Sequence, residues 1–210
     1  MTTLPNLLDV YRARQRIGSL IRNTPLTDAP ELARVAGARS VHLKMECFQH
    51  TGAFKVRGAA NKILSLDADA RRRGVVTFST GNHGKAVAYV AGRSDIPATV
   101  CLSAHVPAYR ARMIRQLGAE VSVQGRSQDE AEDNYRALMK SQNRVPVVPF
   151  DDPLIIAGQG TIGLEILGAL PDTDVLLVPL SGGGLLAGIA MAAKSINPAI
   201  RVVGLSLSRS

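Results

Sequence analysis

The sequence has few of the residues on which several classes of protein depend. Tryptophan is absent and aromatic residues make up only 4% of the 210 residues, so base-stacking surfaces for single-stranded nucleic acids are poorly supplied. The two cysteines, Cys47 and Cys101, form no CxxC pair, which predicts reduced, partly buried side chains rather than a disulfide or metal framework. The four histidines show no zinc-ligand spacing either, and no metal site is predicted.

Long apolar runs are also missing, because glycine, proline or a charged residue interrupts each one. No membrane-spanning segment is therefore expected. Residues 1–10 lack the basic, apolar leader of a signal peptide, which predicts a cytoplasmic protein. The net charge is +8, but the basic residues are scattered, and we interpret the run at residues 71–73 as a solvated helix end. No nucleic-acid partner is predicted, and the positive charge suits an anionic small ligand.

Short runs rich in β-branched residues alternate with longer helical patterns along the chain. Hydrophobic residues make up 46% of the sequence, enough to bury a core. Strands are predicted at residues 41–44, 75–78, 98–102, 120–123, 145–148, 175–179 and 201–205. Helices are predicted at residues 54–66, 84–93, 108–117, 128–141, 160–170 and 185–196. The alternation predicts an α/β fold of βαβ units, with parallel sheets covered by helices on both faces.

The loop at residues 51–59 is the first of three that carry chemistry. Gly52 breaks the backbone, and Lys55 falls in the first turn of the next helix, where the helix dipole is positive. That position, with partial burial beside Phe54, lowers the pKa of an amine that is to act as a nucleophile or base. An ordinary lysine on an amphipathic helix explains the same position.

The second loop, residues 79–84, directly follows an apolar strand. It offers the hydroxyls of Ser79 and Thr80, the amide of Asn82 and several backbone donors at a helix N-terminus. These groups suit a carboxylate or phosphate oxygen, and Asn82 could also donate to a phenolic oxygen. The alternatives are a plain helix cap by Ser79 or Thr80 and a structural role for His83.

Three consecutive glycines form the third loop, after the strand at residues 175–179. Backbone N–H groups at Gly182, Gly183 and Gly184 can turn toward one point, with a helix dipole behind them, as in a phosphate cup. Gly182, Gly184 and Ala187 also match the dinucleotide pattern G-x-G-x-x-A. No acid follows Leu205 to hold a ribose hydroxyl, so a phosphate monoester fits better than a dinucleotide. A dinucleotide-dependent oxidoreductase stays open as an alternative.

These loops, together with residues 22–26, 44–46 and 157–161, resemble the fold-type II pyridoxal-phosphate enzymes, the group of serine and threonine dehydratases and serine racemase. The resemblance implies pyridoxal 5'-phosphate as the cofactor, held in a cleft between two domains. A small α/β domain at residues 46–145 would be inserted in a larger domain made of residues 1–45 and 146–210. The resemblance also implies a homodimer.

The resemblance implies a role for each loop. Lys55 would be the Schiff-base lysine and the catalytic residue, with Phe54 beside the cofactor ring and Asn82 bonded to its phenolic oxygen. The phosphate would be held by Ser181, Gly182, Gly183, Gly184 and Leu185, and the substrate carboxylate by Ser79, Thr80, Gly81, Asn82 and His83. The implied reaction is that of an ammonia-lyase: removal of the α-proton and β-elimination of the hydroxyl from a threonine-like or serine-like amino acid. A β-replacing synthase is a further possibility inside the family.

Residues 51–60, 79–91 and 151–165, and Ser181 before the glycines, are similar to the dehydratase-like proteins of ectoine and hydroxyectoine utilisation. A hydroxyectoine-derived compound is therefore a second expected substrate class.

Thr80 departs from the serine of serine racemases, and Ser206 and Ser208 lie where metal-activated members have a carboxylate. The larger domain is expected to be incomplete at Ser210, before the residue that faces the pyridine nitrogen. A truncated, catalytically weak or inactive cofactor-binding remnant is thus the main alternative.

Overall fold

A computed structural model describes residues 4–79 and 81–207 of the chain, so Thr80 lies outside the described residues. The helices are α1 (Leu7–Ile17), α2 (Pro30–Ala36), α3 (Lys55–Leu64), α4 (Ala68–Arg73), α5 (Asn82–Arg93), α6 (Ala108–Gln116), α7 (Gln128–Ser141), α8 (Pro153–Ala169) and α9 (Gly184–Ile196). The strands are β1 (Leu26–Asp28), β2 (His42–Lys44), β3 (Val75–Phe78), β4 (Ala98–Leu102), β5 (Glu120–Val123), β6 (Val145–Pro146), β7 (Val175–Pro179) and β8 (Arg201–Leu205). A short 3-10 turn spans Glu46–Phe48.

Strands β3, β4, β5 and β6 form one parallel sheet in the order β5-β4-β3-β6. Val75 and Val100 face the main apolar cluster, to which α3, α5 and α6 contribute. On the opposite face, Tyr135 of α7 packs with Val76 and Cys101. Helices therefore cover both faces of this sheet, as predicted. The carboxyl ends of β3 and β6 are neighbours, which brings the loops after them to one edge.

The other sheets differ from the prediction. Strand β1 pairs antiparallel with β2, Leu26 opposite Lys44, so the prediction of parallel sheets alone is wrong for the N-terminal segment. Strand β2 was predicted at residues 41–44, but β1 was not, because three residues carry only a weak hydrophobic period. Strand β7 pairs in parallel with β8. Leu176 and Val178 pack toward the second apolar cluster, while Val175 and Leu177 are 41% and 63% exposed. Among the described residues, helices thus cover only one face of this pair.

Helix α8 begins seven residues before its predicted start. Asp152 caps it, because its carboxylate accepts hydrogen bonds from the N–H groups of Leu154 and Ile155, and Pro153 occupies the first turn. The predicted start had excluded Gly158 from the helix. The structure uses that glycine for close packing, since a Cβ there would lie 2.7 Å from the Cα of Gly58 in α3.

Glycines on both sides of α8 set the positions of the helices that carry the site. Gly58 of α3 faces Gly158, and a Cβ on Gly188 of α9 would lie 2.7 Å from the backbone nitrogen of Gly160. Lys55 lies about one turn before Gly58, and Gly184 about one turn before Gly188. Helix α8 therefore holds the beginnings of α3 and α9 in place.

Four remaining expectations concern the cysteines, the basic run, membrane-spanning segments and metal sites. Both cysteines are free, but Cys47 is exposed and only Cys101 is buried, because Cys47 lies in the surface turn Glu46–Phe48. The basic run ends α4, as expected for a solvated helix end. Over residues 4–79 and 81–207, no helix is long and apolar enough to span a membrane. No metal-binding group of three or more His, Cys, Asp or Glu side chains occurs in the same ranges.

Candidate active site

Lys55 lies in the first turn of α3, as predicted, and is its first residue, one position after the predicted start. Its side chain is half-buried. Its Nζ donates a hydrogen bond of 2.6 Å to the carbonyl oxygen of Pro149 and lies 5.3 Å from the centre of the Phe54 ring. Burial lowers the pKa of Lys55 below its ordinary value, because desolvation disfavours the charged ammonium. The amine is thus closer to the neutral, nucleophilic form than an exposed lysine would be.

His83 contacts the same segment of chain at Val147, two residues before Pro149. Its Nε2 lies 2.9 Å from the carbonyl oxygen of Val147, so Nε2 carries the proton and donates. Burial is the main cause that lowers the pKa of His83 to about 4, and the charge of Lys55 lowers it further. The imidazole is therefore neutral at physiological pH, and its Nδ1 has no hydrogen-bond partner within the described ranges.

The loop after β3 presents backbone donors at the start of α5. The N–H of Gly81 donates to the Ser79 hydroxyl at 3.3 Å, and Gly81 occupies the N-cap position without a side-chain cap. The alternative of a plain helix cap by Ser79 is therefore wrong, since this hydroxyl accepts its hydrogen bond within the loop. The first N–H groups of α5 stay available to an anion, with Asn82 exposed at the helix start.

The glycine loop after β7 has the geometry of an anion cradle. Gly183 has a φ of +86°, in the left-handed region, and is the N-cap of α9. A Cβ at Gly183 would meet no atom of the described residues within 4 Å, so the loop opens into free space there. A Cβ at Gly182 would instead lie 2.3 Å from the Phe150 ring, so that ring packs directly on the loop.

The predicted residues are linked through one short segment after β6. Pro149 contacts Lys55 through its carbonyl oxygen, and Phe150 packs on Gly182 and Gly184. Phe54 and Leu185 both pack against the second apolar cluster, and Ser181 is exposed at the start of the glycine loop. The sequence did not single out this segment, because its contribution is made by backbone oxygens and one ring. Its only signal was its position at the end of a predicted parallel strand.

A buried ionic network beside Lys55 was also missed. Arg57 is fully buried, and its guanidinium donates to both carboxylate oxygens of Glu46, at 2.8 and 2.9 Å, and of Glu165, at 2.6 and 2.8 Å. Lys44 pairs with Glu165 at 2.5 Å, and Thr24 donates to Glu46. Burial alone would raise the pKa of Glu165, but the hydrogen bonds and charges of Arg57 and Lys44 hold it below its ordinary value. The network ties α3 to α8 two residues after Lys55.

Comparisons with known proteins agree with this geometry. A family model described as "Pyridoxal-phosphate dependent enzyme" matches residues 17–210. The chain is 43% identical to the L-threonine ammonia-lyase of Thermotoga maritima over 198 residues, which are 94% of this chain and 49% of that protein. It is 38% identical to the serine racemase of Arabidopsis thaliana over 198 residues, covering 94% of this chain and 60% of that protein.

The structure of maize serine racemase has a TM-score of 0.93 to this chain at 35% identity, covering 96% of this chain and 61% of that one. The chain thus spans about half to three fifths of the length of these relatives. The expected fold-type II architecture is confirmed. The match gives no support to the dinucleotide-dependent alternative. The chain belongs to the family of pyridoxal-phosphate-dependent enzymes.

Proposed function

We propose that the protein acts as an ammonia-lyase that dehydrates a hydroxy amino acid of the threonine or serine type. The observation that carries the proposal is the half-buried amine of Lys55, with its lowered pKa and its hydrogen bond to Pro149, at the N-terminus of α3. A relative named L-threonine ammonia-lyase, 43% identical over 94% of the chain, supports the same reaction. Two further arguments concern the cofactor and the residues that handle the proton.

The residues present fit pyridoxal phosphate. The open space over Gly183 and the N-terminus of α9 suit the phosphate, which Ser181, Gly182, Gly183, Gly184 and Leu185 would hold. Lys55 would bind the carbonyl carbon, Phe54 would pack beside the ring, and Asn82 would donate to the phenolic oxygen. When bound, the cofactor supplies the electron sink that stabilises negative charge at the substrate α-carbon.

The protein's own part of the chemistry is to hold the substrate and move one proton. The amine of Lys55, once freed, would remove the α-proton, and partial burial makes it a more available base than an exposed lysine because it lowers the pKa of the amine. The Pro149 carbonyl oxygen aligns Nζ. The loop of Ser79, Thr80, Gly81, Asn82 and His83 would hold the substrate carboxylate by its backbone donors. The neutral His83 adds no charge to that site.

The narrower parts of the proposal concern substrate and assembly. Residues 51–60, 79–91 and 151–165 support a hydroxylated compatible solute, or its opened product, as the natural substrate. We also propose the division into a small domain at residues 46–145 and a larger one at residues 1–45 and 146–210. A homodimer and a cytoplasmic location complete the proposal. Serine racemases are among the relatives, so racemisation is the second activity to assay.

Reduction with borohydride tests the central assignment. Purified protein is mixed with pyridoxal phosphate, its absorbance is recorded before and after borohydride, and the modified peptide is located by mass spectrometry. We expect an absorbance band near the visible edge that borohydride removes, with the pyridoxyl group on Lys55. Lys55→Arg abolishes the band, whereas Lys62→Arg, on the same helix and with its charge retained beside Asp152, keeps it.

The same samples decide between an active enzyme and a cofactor-binding remnant. Keto-acid and ammonia release from L-threonine, L-serine and hydroxyectoine-derived compounds are measured with parent and Lys55→Arg protein. Release that depends on Lys55 supports the lyase. A band on Lys55 without any release supports the remnant. The absence of a band in folded protein overturns the cofactor assignment.

A further inference from the structure

A cavity that the proposed roles leave unused lies at the carboxyl ends of β3 and β6. Its volume is about 440 Å³. It is lined by the end of β3, one side of α7 and the segment after β6, namely Phe78, Glu132, Tyr135, Arg136, Met139, Lys140, Val148, Pro149, Phe150 and Asp151. In parallel α/β sheets this is the edge at which ligands bind.

Two contacts join this cavity to the reacting groups. Pro149 lines the cavity and its carbonyl oxygen accepts the hydrogen bond from the Lys55 amine. Phe150 also lines the cavity, and its ring packs on Gly182 of the phosphate loop. A molecule held between Lys55 and the glycine loop would therefore have the cavity beside it. Pro149 and Phe150 thus form the boundary between the cavity and the groups proposed to react.

Six of the ten residues that line the cavity are uncharged and largely apolar or aromatic, and the charges of the other four balance. Tyr135 is 6% exposed, and its ring centre lies 5.1 Å from that of Phe78, while Met139 lies half-buried nearby. The charged lining residues number two acidic and two basic, and one pair, Glu132 with Arg136, bonds at 2.7 Å on the outer surface of α7. Such a site favours an apolar group and offers no net attraction to an ion.

The volume exceeds what a small side chain needs. A cavity of about 150 Å³ lined by apolar side chains is already large enough for benzene. If the methyl group of threonine occupied the cavity, water would fill most of the 440 Å³ and would contact the aromatic side chains of the wall. An apolar ring or branched chain would displace that water and gain free energy in proportion to the area it buries.

We propose that this cavity is the side-chain subsite, and that it takes hydroxy amino acids whose side chain carries an apolar ring or chain larger than methyl. The inference rests on the proposed dehydratase function for its chemistry. Its binding part can be tested without turnover. Met139, a flexible side chain on the wall, serves as both probe and target for mutation.

The binding test uses protein with ¹³C-labelled methionine methyl groups, loaded with pyridoxal phosphate. L-Phenylalanine has no β-hydroxyl to lose, so it occupies the site without being dehydrated. We expect its ring to shift the Met139 methyl signal, whereas L-alanine leaves that signal unchanged. The other methionines are internal controls, and Met139→Leu assigns the signal. An unchanged Met139 signal at saturating L-phenylalanine overturns the inference.

The specificity test compares 3-phenylserine with L-threonine. We expect the parent protein to prefer 3-phenylserine in kcat/KM. Met139→Trp narrows the cavity and should lower kcat/KM for 3-phenylserine by about tenfold or more relative to kcat/KM for L-threonine. Ala137→Trp, an exposed position on the same helix that does not line the cavity, should change neither.

The two tests separate failure of the subsite from failure of the function. Keto acid from L-threonine, with no preference for 3-phenylserine and no Met139 shift, overturns the subsite and leaves the dehydratase standing. A Met139 shift without keto acid from either substrate supports the apolar subsite and overturns the dehydratase. Equal losses on both substrates in Met139→Trp show a general structural effect and count against the subsite.

Discussion

Burial sets the charge of two side chains that donate to the segment after β6. Lys55 donates to Pro149 and His83 to Val147, and desolvation lowers the pKa of both. The effect on His83 is large enough to couple the protein's stability to pH. The folded protein binds a proton on His83 only near pH 4, whereas the unfolded chain binds it near 6.5. Between these values the unfolded state holds more protons, so stability increases with pH.

The prediction is that His83 accounts for a loss of stability on acidification. Between pH 6.5 and 4 it should lower the free energy of unfolding by about 3 kcal/mol. Urea unfolding at a series of pH values measures this, with His83→Gln, which stays neutral, removing that part of the slope. His105→Gln, at an exposed position, is the control and should keep the slope. A His83→Gln variant with the parent's pH dependence would show that the histidine is protonated in the folded state.

At the residue scale, the sequence predicted what depends on neighbours along the chain. The place of Lys55 in the first turn of a helix could be predicted because Gly52 and Phe54 lie within three residues of it, whereas its role was implied only by the resemblance. Arg57 could not, because Glu165 lies 108 residues away and the pairing exists only after folding. One signal was available in retrospect: Glu165 is the single charged residue in the apolar helix α8, and a buried charge needs a partner.

Among the elements, α8 determines how the site is assembled. It packs between α3, which carries Lys55, and α9, which begins in the phosphate loop. Its glycines allow this approach, since a Cβ at Gly158 would lie 2.7 Å from both the Arg57 carbonyl oxygen and the Gly58 Cα. The sequence predicted a later start for this helix, at residue 160. It could not show that another helix backbone occupies the place of the missing side chain.

Two glycine substitutions in α8 should therefore have opposite effects. Gly158→Ala forces α3 and α8 apart and should lower the free energy of unfolding by about 1–3 kcal/mol. Gly168→Ala lies in the same helix, is exposed and meets no described atom within 4 Å. It should raise the free energy of unfolding by about 0.5–1 kcal/mol, because alanine loses less backbone entropy. Denaturant unfolding measures both, and a destabilisation of equal size in both variants would refute close packing as the cause.

Over the whole molecule, the alternating pattern predicted the four-stranded parallel sheet and the loops at its edge. It did not predict the antiparallel pair β1–β2 or the exposed face of β7–β8. Strand direction and coverage depend on contacts between segments far apart in sequence, and a periodic pattern carries no information on them. The site has the same long-range character. Lys55 and Gly183 are 128 positions apart, and a cofactor bound to both would join them.

Cofactor binding should therefore stabilise the whole fold, and its phosphate should contribute through Gly183. Pyridoxal phosphate at about 100 times its dissociation constant adds about 2.7 kcal/mol to the free energy of unfolding, and pyridoxal at the same concentration adds less. Gly183→Ala strains the backbone at φ +86° and places a methyl group in the open cradle. Backbone strain alone would lower the free energy of unfolding by the same amount with pyridoxal phosphate and with pyridoxal. The difference in free energy of unfolding between the two ligands therefore reports only on the contribution of the phosphate cradle. Thermal unfolding should show that difference in the parent and in Gly168→Ala, and its loss in Gly183→Ala. A difference that persists in Gly183→Ala would place the phosphate elsewhere.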